Sequence, residues 1–138
     1  MRLRPAAVFA AVAVALAVPA CGGPTRTVGY ATGSATIKVN EVLRVDFGEV
    51  NASVGDAWYE VDGPDTKVLK DEGDKLHSDC KAGEAGCGGH LYWEFLGVAK
   101  GSTSVRFRYC YRSSTANCQP GPGGRGPTDP VLFNVTVT

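Results

Sequence analysis

The sequence predicts an all-β sandwich, and three observations carry the prediction. From Ala35 onward apolar residues alternate with polar ones in short segments. Gly, Pro, Asn and Asp interrupt those segments at close intervals, and no apolar recurrence at helical spacing lasts longer than two turns. The chain has 138 residues, 18 of them Gly, with 14 Lys and Arg against 14 Asp and Glu. That is room for one small core. There is no basic stripe of the kind a nucleic-acid binder needs, so no nucleic acid is expected as a partner and a monomer is the expected state.

The elements follow in order. Arg2 and Arg4 precede an uncharged, Ala/Val-rich stretch over residues 5–20 that ends in a small residue, the pattern of an export signal. The stretch falls short of the about 20 residues a spanning helix needs. Val18, Pro19, Ala20 and Cys21 resemble the bacterial lipobox, in which the Cys thiol is acylated and becomes the new N-terminus. Ordinary cleavage, giving a secreted protein, is the alternative. Cysteine parity favours acylation. Of five Cys, setting aside Cys21 leaves Cys80, Cys87, Cys110 and Cys118, enough for two bridges in an exported protein. Their spacings differ from the Cys-x-x-Cys knuckles of zinc sites, so disulfides are expected and no metal. The expected location is the cell membrane, lipid-anchored and facing outside the cytoplasm.

Residues 21–34 are rich in Gly, Thr and Ser and read as a flexible tether, so the folded domain is expected to span residues 35–138. Ile37 and Val39 begin a first strand and Asn40 turns it. In residues 42–47 Leu43, Val45 and Phe47 alternate with Arg44 and Asp46. A loop over 48–56 leads to a strand at 57–61 carrying Trp58; Gly63, Pro64 and Asp65 mark a turn, and 66–70 a short strand. Residues 71–89 are polar, contain Gly and hold two of the cysteines, and read as a loop. Leu91, Trp93 and Phe95 then alternate with Tyr92, Glu94 and Leu96, and across a turn at 97–101 Val105, Phe107, Tyr109 and Tyr111 share a face opposite Arg106, Arg108 and Cys110. These two segments are expected to form a hairpin. Residues 112–130 form a long Ser/Gly/Pro loop, and 131–138 a last strand. About seven strands in such a length is the count of an immunoglobulin-like sandwich.

Catalytic constellations are weak. His77, Ser78 and Asp79 are sequence neighbours, which rarely present the geometry a nucleophile and base need. Asp71, Glu72, Asp74 and Asp79 lack the spacing and Gly of a calcium loop. Trp58 and Trp93 fall where the alternation points inward, which assigns them to the core rather than to sugar stacking. No enzyme activity and no cofactor are expected.

The loops carry a resemblance. Asn51, Ala52, Ser53, Val54, Gly55, Asp56, Ala57 and Trp58 align without a gap on the pattern Asn-Pro-Thr-Thr-Gly-Tyr-x-Trp. Gly86, Cys87, Gly88 and Gly89, before Leu91, Trp93 and Phe95, match Gly-x-Gly-Gly followed by an aromatic strand. Ala99, Lys100 and Gly101 lead into Tyr109, Cys110, Tyr111 and Arg112, where the pattern is Tyr-Arg-x-Pro-Trp; the Arg is kept, the Pro and Trp are not. Phe133, Asn134, Val135, Thr136 and Val137 look like the closing strand. In order and spacing these resemble the chagasin family of cysteine-protease inhibitors, immunoglobulin-like domains that wedge three loops into papain-like active-site clefts.

The resemblance implies a papain-like cysteine protease as partner. It implies contact through Asn51, Ala52, Ser53, Val54 and Gly55 in the first loop, Gly86, Gly88 and Gly89 in the second, and the third loop from Arg112. Cys80 with Cys87 and Cys110 with Cys118 would then bracket the second and third loops, one of three possible pairings. Val54 for a Thr, Asp56 for an aromatic and the missing Trp imply weaker binding than the pattern allows. A lipoprotein sandwich that binds another protein or a glycan is the alternative function.

Overall fold

The structure, a computed structural model, describes residues 25–138. The leader 1–20 and the expected acylation site Cys21 lie outside the described residues. Eight strands follow one another: β1 (Thr25–Gly29), β2 (Ser34–Ile37), β3 (Val42–Val50), β4 (Asp56–Asp62), β5 (Leu69–Ser78), β6 (Gly89–Gly97), β7 (Gly101–Tyr111) and β8 (Val131–Val137). The only helical elements among the described residues are single 3-10 turns. The strands form two four-stranded sheets, in the orders β1-β3-β6-β5 and β2-β8-β7-β4. β1 with β3 and β2 with β8 pair parallel; the other neighbours are antiparallel. This is the expected immunoglobulin-like sandwich.

Alternation explains the inner strands. Leu43, Val45 and Phe47 of β3, Phe95 of β6, Val105 and Phe107 of β7, and Phe133, Val135 and Val137 of β8 are all buried between the sheets, as period-two patterning demands. In β3 the register slips at a bulge between Asp46 and Gly48, and Gly48 takes a φ of 78°, which favours glycine. The extra residue reverses the parity, so Val50 points inward after Phe47 does. Above the aliphatic centre Tyr30, Phe47, Trp58 and Tyr109 pack in sequence, Tyr30 stacked on Phe47 with ring centroids 5.5 Å apart, Phe47 tilted against Trp58 at 4.5 Å, and Trp58 edge-to-face with Tyr109 at 5.6 Å. Trp58 is core, as expected. Trp93 packs on Phe107 at the margin of that core and donates its indole N–H to Asp71.

Several expectations are corrected. The tether does not reach Ser34: Thr25–Gly29 is β1 and Ser34 begins β2. β1 is an edge strand with mostly exposed side chains, held by backbone pairing to β3, so no alternation advertises it. Residues 66–68 are a turn around Asp65, whose carbonyl accepts from Val68 and Leu69 N–H, and the strand starts at Leu69. Residues 71–78, expected as loop, continue β5. This is the opposite edge of the same sheet, with charged side chains on both faces, the composition that keeps an edge from pairing with another chain. The expected hairpin of 91–96 with 104–111 does not form, because β6 and β7 belong to different sheets. The turn at 97–101 crosses the sandwich instead.

The topology fixes two poles. Thr25 pairs with Val42 at the start of β3, and β3 ends at Val50 beside Gly89. The described chain therefore enters at one pole, while the segments 51–55, 79–88 and 112–130 lie at the other.

Candidate functional site

At that second pole the first loop is a tight turn built by Asn51. Its carbonyl accepts from Val54 and Asp56 N–H, and its side-chain oxygen accepts from Ser53 N–H at 3.0 Å, the capping arrangement Asn favours. Gly55 closes the turn with φ 107°. A Cβ there would collide with the Arg112 side chain, so glycine serves both the backbone angle and the close approach. Ala52 and Ser53 stand exposed at the crest.

The same Asn51 reaches the second loop: its amide donates to the Gly86 carbonyl at 3.1 Å. Cys80 and Cys87 are bridged, and Asp79 N–H donates to Gly88 O across the base of the loop at 3.0 Å. Gly88 lies against the first loop's entry, where a Cβ would come within 3.0 Å of Val50 O. Gly89 lies inside the sheet, where a Cβ would meet His77 O at 2.6 Å.

The third loop is tied to the first by Arg112. Its backbone N–H donates to Gly55 O and its Nε to Val54 O, both at 2.9 Å. Its φ of 47° is left-handed, a strained state for a non-glycine residue that these two bonds maintain. The guanidinium lies 5.3 Å from the Tyr111 ring centre. The Cys110–Cys118 bridge closes the loop, which leaves Thr115–Asn117 as an exposed polar turn. The first, second and third loops thus meet at one pole with the residues the sequence singled out in them, except that Gly89 is buried as the first residue of β6 rather than carried on the loop. Both disulfides pair locally, as expected.

Beneath the loops lies Asp56, which in the sequence stands out only as a departure from the pattern. Asp56 is buried, and its carboxylate accepts from Asn51 N–H at 2.9 Å, from the Tyr109 hydroxyl and, at 3.5 Å, from Arg125. Burial, and then this carboxylate, push the Tyr109 phenol well above its ordinary pKa. Arg125 arrives from the Gly/Pro-rich part of the long loop, which folds back over Tyr109. A side chain at Gly126 would strike that ring, and one at Gly121 would strike the Arg125 carbonyl and the Tyr109 hydroxyl, so the glycines permit the contact. A signal was available: β4 alternates, Trp58 points inward, and parity carries Asp56 inward with it. A buried carboxylate needs donors. Asn51, Asp56, Asp79, Gly88, Glu49 and Arg125 line a polar cavity of about 350 Å³ between the loops.

His77 is exposed. His90 pairs with Asp46 at 2.7 Å on the outer face of the sheet, away from any nucleophile-and-base arrangement. Among the described residues no group of His, Cys, Asp and Glu is placed to hold a metal ion. The site therefore offers backbone, small side chains and a few fixed polar groups.

Comparison with known proteins bears on what such a surface does. The sequence profile described as chagasin family peptidase inhibitor I42 matches residues 36–120. Among solved structures, the cysteine protease inhibitor EhICP2 from Entamoeba histolytica superposes with a TM-score of 0.55 at 16% identity, over 83% of this chain and 96% of that one. Amebosin superposes with a TM-score of 0.56 at 16% identity, over 85% of this chain and 100% of its own. At such identity the likeness is one of fold. No curated protein matches the sequence closely enough to count as a relative.

Proposed function

Since the chain belongs to the chagasin family of peptidase inhibitors, we propose that it inhibits papain-like cysteine proteases by inserting the crests of its three loops into the active-site cleft, while a lipid on Cys21 holds it at the cell envelope. The observation that carries this reading is the joining of the loops. Asn51 binds the second loop and Arg112 the first, so three segments distant in sequence form one edge before any partner arrives. Pre-organisation of this kind removes an ordering cost on binding. The exposed Ala52 and Ser53 and, in the second loop, the exposed Gly86 leave backbone open to a close approach. No step of bond chemistry is assigned to the protein; it fills and covers.

The test is titration of a papain-like protease with the purified protein. Inhibition should be reversible, the inhibitor should stay uncleaved, and Ala52→Arg should weaken it strongly without altering the thermal midpoint, since Ala52 is exposed at the crest. Gly88 is a poor place for such a block, because it lies against Val50. Unchanged protease activity with about tens of micromolar protein present, the weak end of specific binding, would end the inhibitor reading in favour of a sandwich that binds another protein or a glycan. Anchoring is read separately. The N-terminal peptide of membrane-purified protein should begin at Cys21 and carry lipid mass, and Cys21→Ser should release the protein or leave its precursor uncut.

A further inference from the structure

We propose that the pole opposite the loops is the face this protein lays on its own membrane, with a layer of anionic phospholipid headgroups as the partner. The inference rests on acylation of Cys21 and adds to it an orientation and a contact surface.

Two observations carry it. The first is where the chain enters. Thr25 pairs with Val42 at the foot of β3, and only Gly22, Gly23 and Pro24 separate it from Cys21, a span of about 14 Å at full extension. The loops stand the length of β3 away, nine residues or about 30 Å. A tether that short cannot turn the domain over. The pole at its foot is thereby held near the headgroups and the loop pole is held away from them.

The second is the chemistry of that pole. Its turns at 38–41, 65–68 and 98–100 lock together, Asn40 N–H donating to Gly97 O at 2.8 Å and Val98 N–H to Val68 O at 2.9 Å. They expose Lys38, Lys67 and Lys100, and Val98 stands out among them at 43% exposure. The acidic residues in these turns are Glu41 and Asp65, which leave the turns one positive charge in excess; Asp62, three residues before Asp65, faces Arg106 at 4.0 Å. Both carboxylates already accept backbone N–H groups, Glu41 from Lys38 at 2.8 Å and Asp65 from Lys67 at 3.0 Å. Nearby, Lys70 is paired with Glu72 and Arg26 donates to Thr36 O. Three ammonium groups with no ion-pair partner among the described residues, around an exposed apolar side chain, suit a headgroup layer, where each basic residue near the surface adds a modest attraction. The whole chain is not basic, so the acyl chains supply the affinity and the lysines supply the orientation. A domain held this way meets a protease arriving from the aqueous side.

The experiment is amine-reactive footprinting of full-length protein purified from membranes. It is carried in detergent micelles, in vesicles of phosphatidylcholine, or in vesicles of equal parts phosphatidylcholine and phosphatidylglycerol. Peptide mass spectrometry reads each lysine. Lys38, Lys67 and Lys100 should be modified about fivefold more slowly in the anionic vesicles than in micelles, while Lys81, exposed in the disulfide loop of the other pole, should not change. Equal reactivity at all four lysines, or protection of Lys81, overturns the orientation. Equal protection in neutral and anionic vesicles overturns the headgroup contact. The same digest reports the mass at Cys21: an unacylated N-terminus defeats the anchor reading and this inference with it, whereas an acylated protein with uniform footprints defeats only the inference.

Discussion

Asp56 and Glu60 lie on the inner face of the same strand, β4, opposite Tyr111 and Phe107, and the protein treats these two carboxyl groups in opposite ways. Asp56, at the loop pole, accepts from three donors contributed by three different segments. Glu60, toward the other end, has one oxygen buried without a hydrogen-bond partner. Its neighbour across the open side of the sandwich is Asp71 of β5, another carboxyl group. Burial first, and then the charge of Asp71, a hydrogen bond to it and the charge of Asp62, push Glu60 up to about 7. An inward acid with donors organises a site; an inward acid facing another acid keeps two sheet edges from offering themselves to other chains, at some expense in stability.

Substitution of Asp56 has the largest expected effect. Asp56→Ala removes the acceptor for Asn51 N–H, Tyr109 and Arg125 together and leaves a buried amide and a buried hydroxyl unpaired. We expect a loss of about 3 kcal/mol in chemical denaturation. We also expect inhibition to weaken about tenfold or more, because the first loop loses the bond at its entry. Loss of stability without loss of inhibition would show that Asn51 holds the loop geometry through Ser53 and Gly86 alone.

How far this was legible in the sequence follows the same division. β3, β6, β7 and β8 could be read from their residues because each buries one face and wets the other. β1 and β5 could not, since an edge strand with exposed side chains satisfies its backbone by pairing and needs no apolar pattern; Asp71 to Ser78 looks like a loop for that reason. The pairing of β6 with β3 and β5, and not with β7, is a matter of sheet assignment, which alternation does not encode. The meeting of Asn51, Gly86 and Arg112 was legible only through the resemblance. The role of Asp56 was hidden because its partners come from residue 109 and from a Gly/Pro loop whose fold no local rule specifies.

At Glu60 the expected effect is smaller and depends on pH. The ordinary value is 4.5 and the folded value about 7. Between these, the folded chain holds a proton that the unfolded chain has released, so the stabilisation is complete below pH 4.5 and is lost as pH rises through 7. Glu60→Gln keeps the shape and removes the charge. The variant should match the parent in acid and exceed it at pH 8 by about 1 kcal/mol, less than the shift alone implies because Glu60 is only partly buried and water screens it. Its inhibition should be unchanged. Denaturation midpoints of both proteins across this range are the measurement; parallel curves would mean that Glu60 does not set the pH dependence.

The smallest expected effect separates the donors of Asp56 from one another. Arg125 is the only formally charged one, yet its guanidinium approaches at 3.5 Å and its side chain is 48% exposed, whereas Asn51 N–H and the Tyr109 hydroxyl bond from within the protein. An ion pair so long and so wet is worth little. What holds the Gly/Pro loop down is the seating of Gly126 on the Tyr109 ring and the close packing of Gly121 on the Arg125 backbone, neither of which involves the charge. Arg125→Ala should therefore cost about 0.5 kcal/mol and leave inhibition within about twofold, provided the loop stays on Tyr109. Amide hydrogen exchange over 119–127 reads that directly. A loss approaching that of Asp56→Ala, with no change in exchange, would make Arg125 the essential counter-ion of the buried carboxylate, and the contrast between the two ends of β4 would then be one of charge compensation rather than of hydrogen bonding.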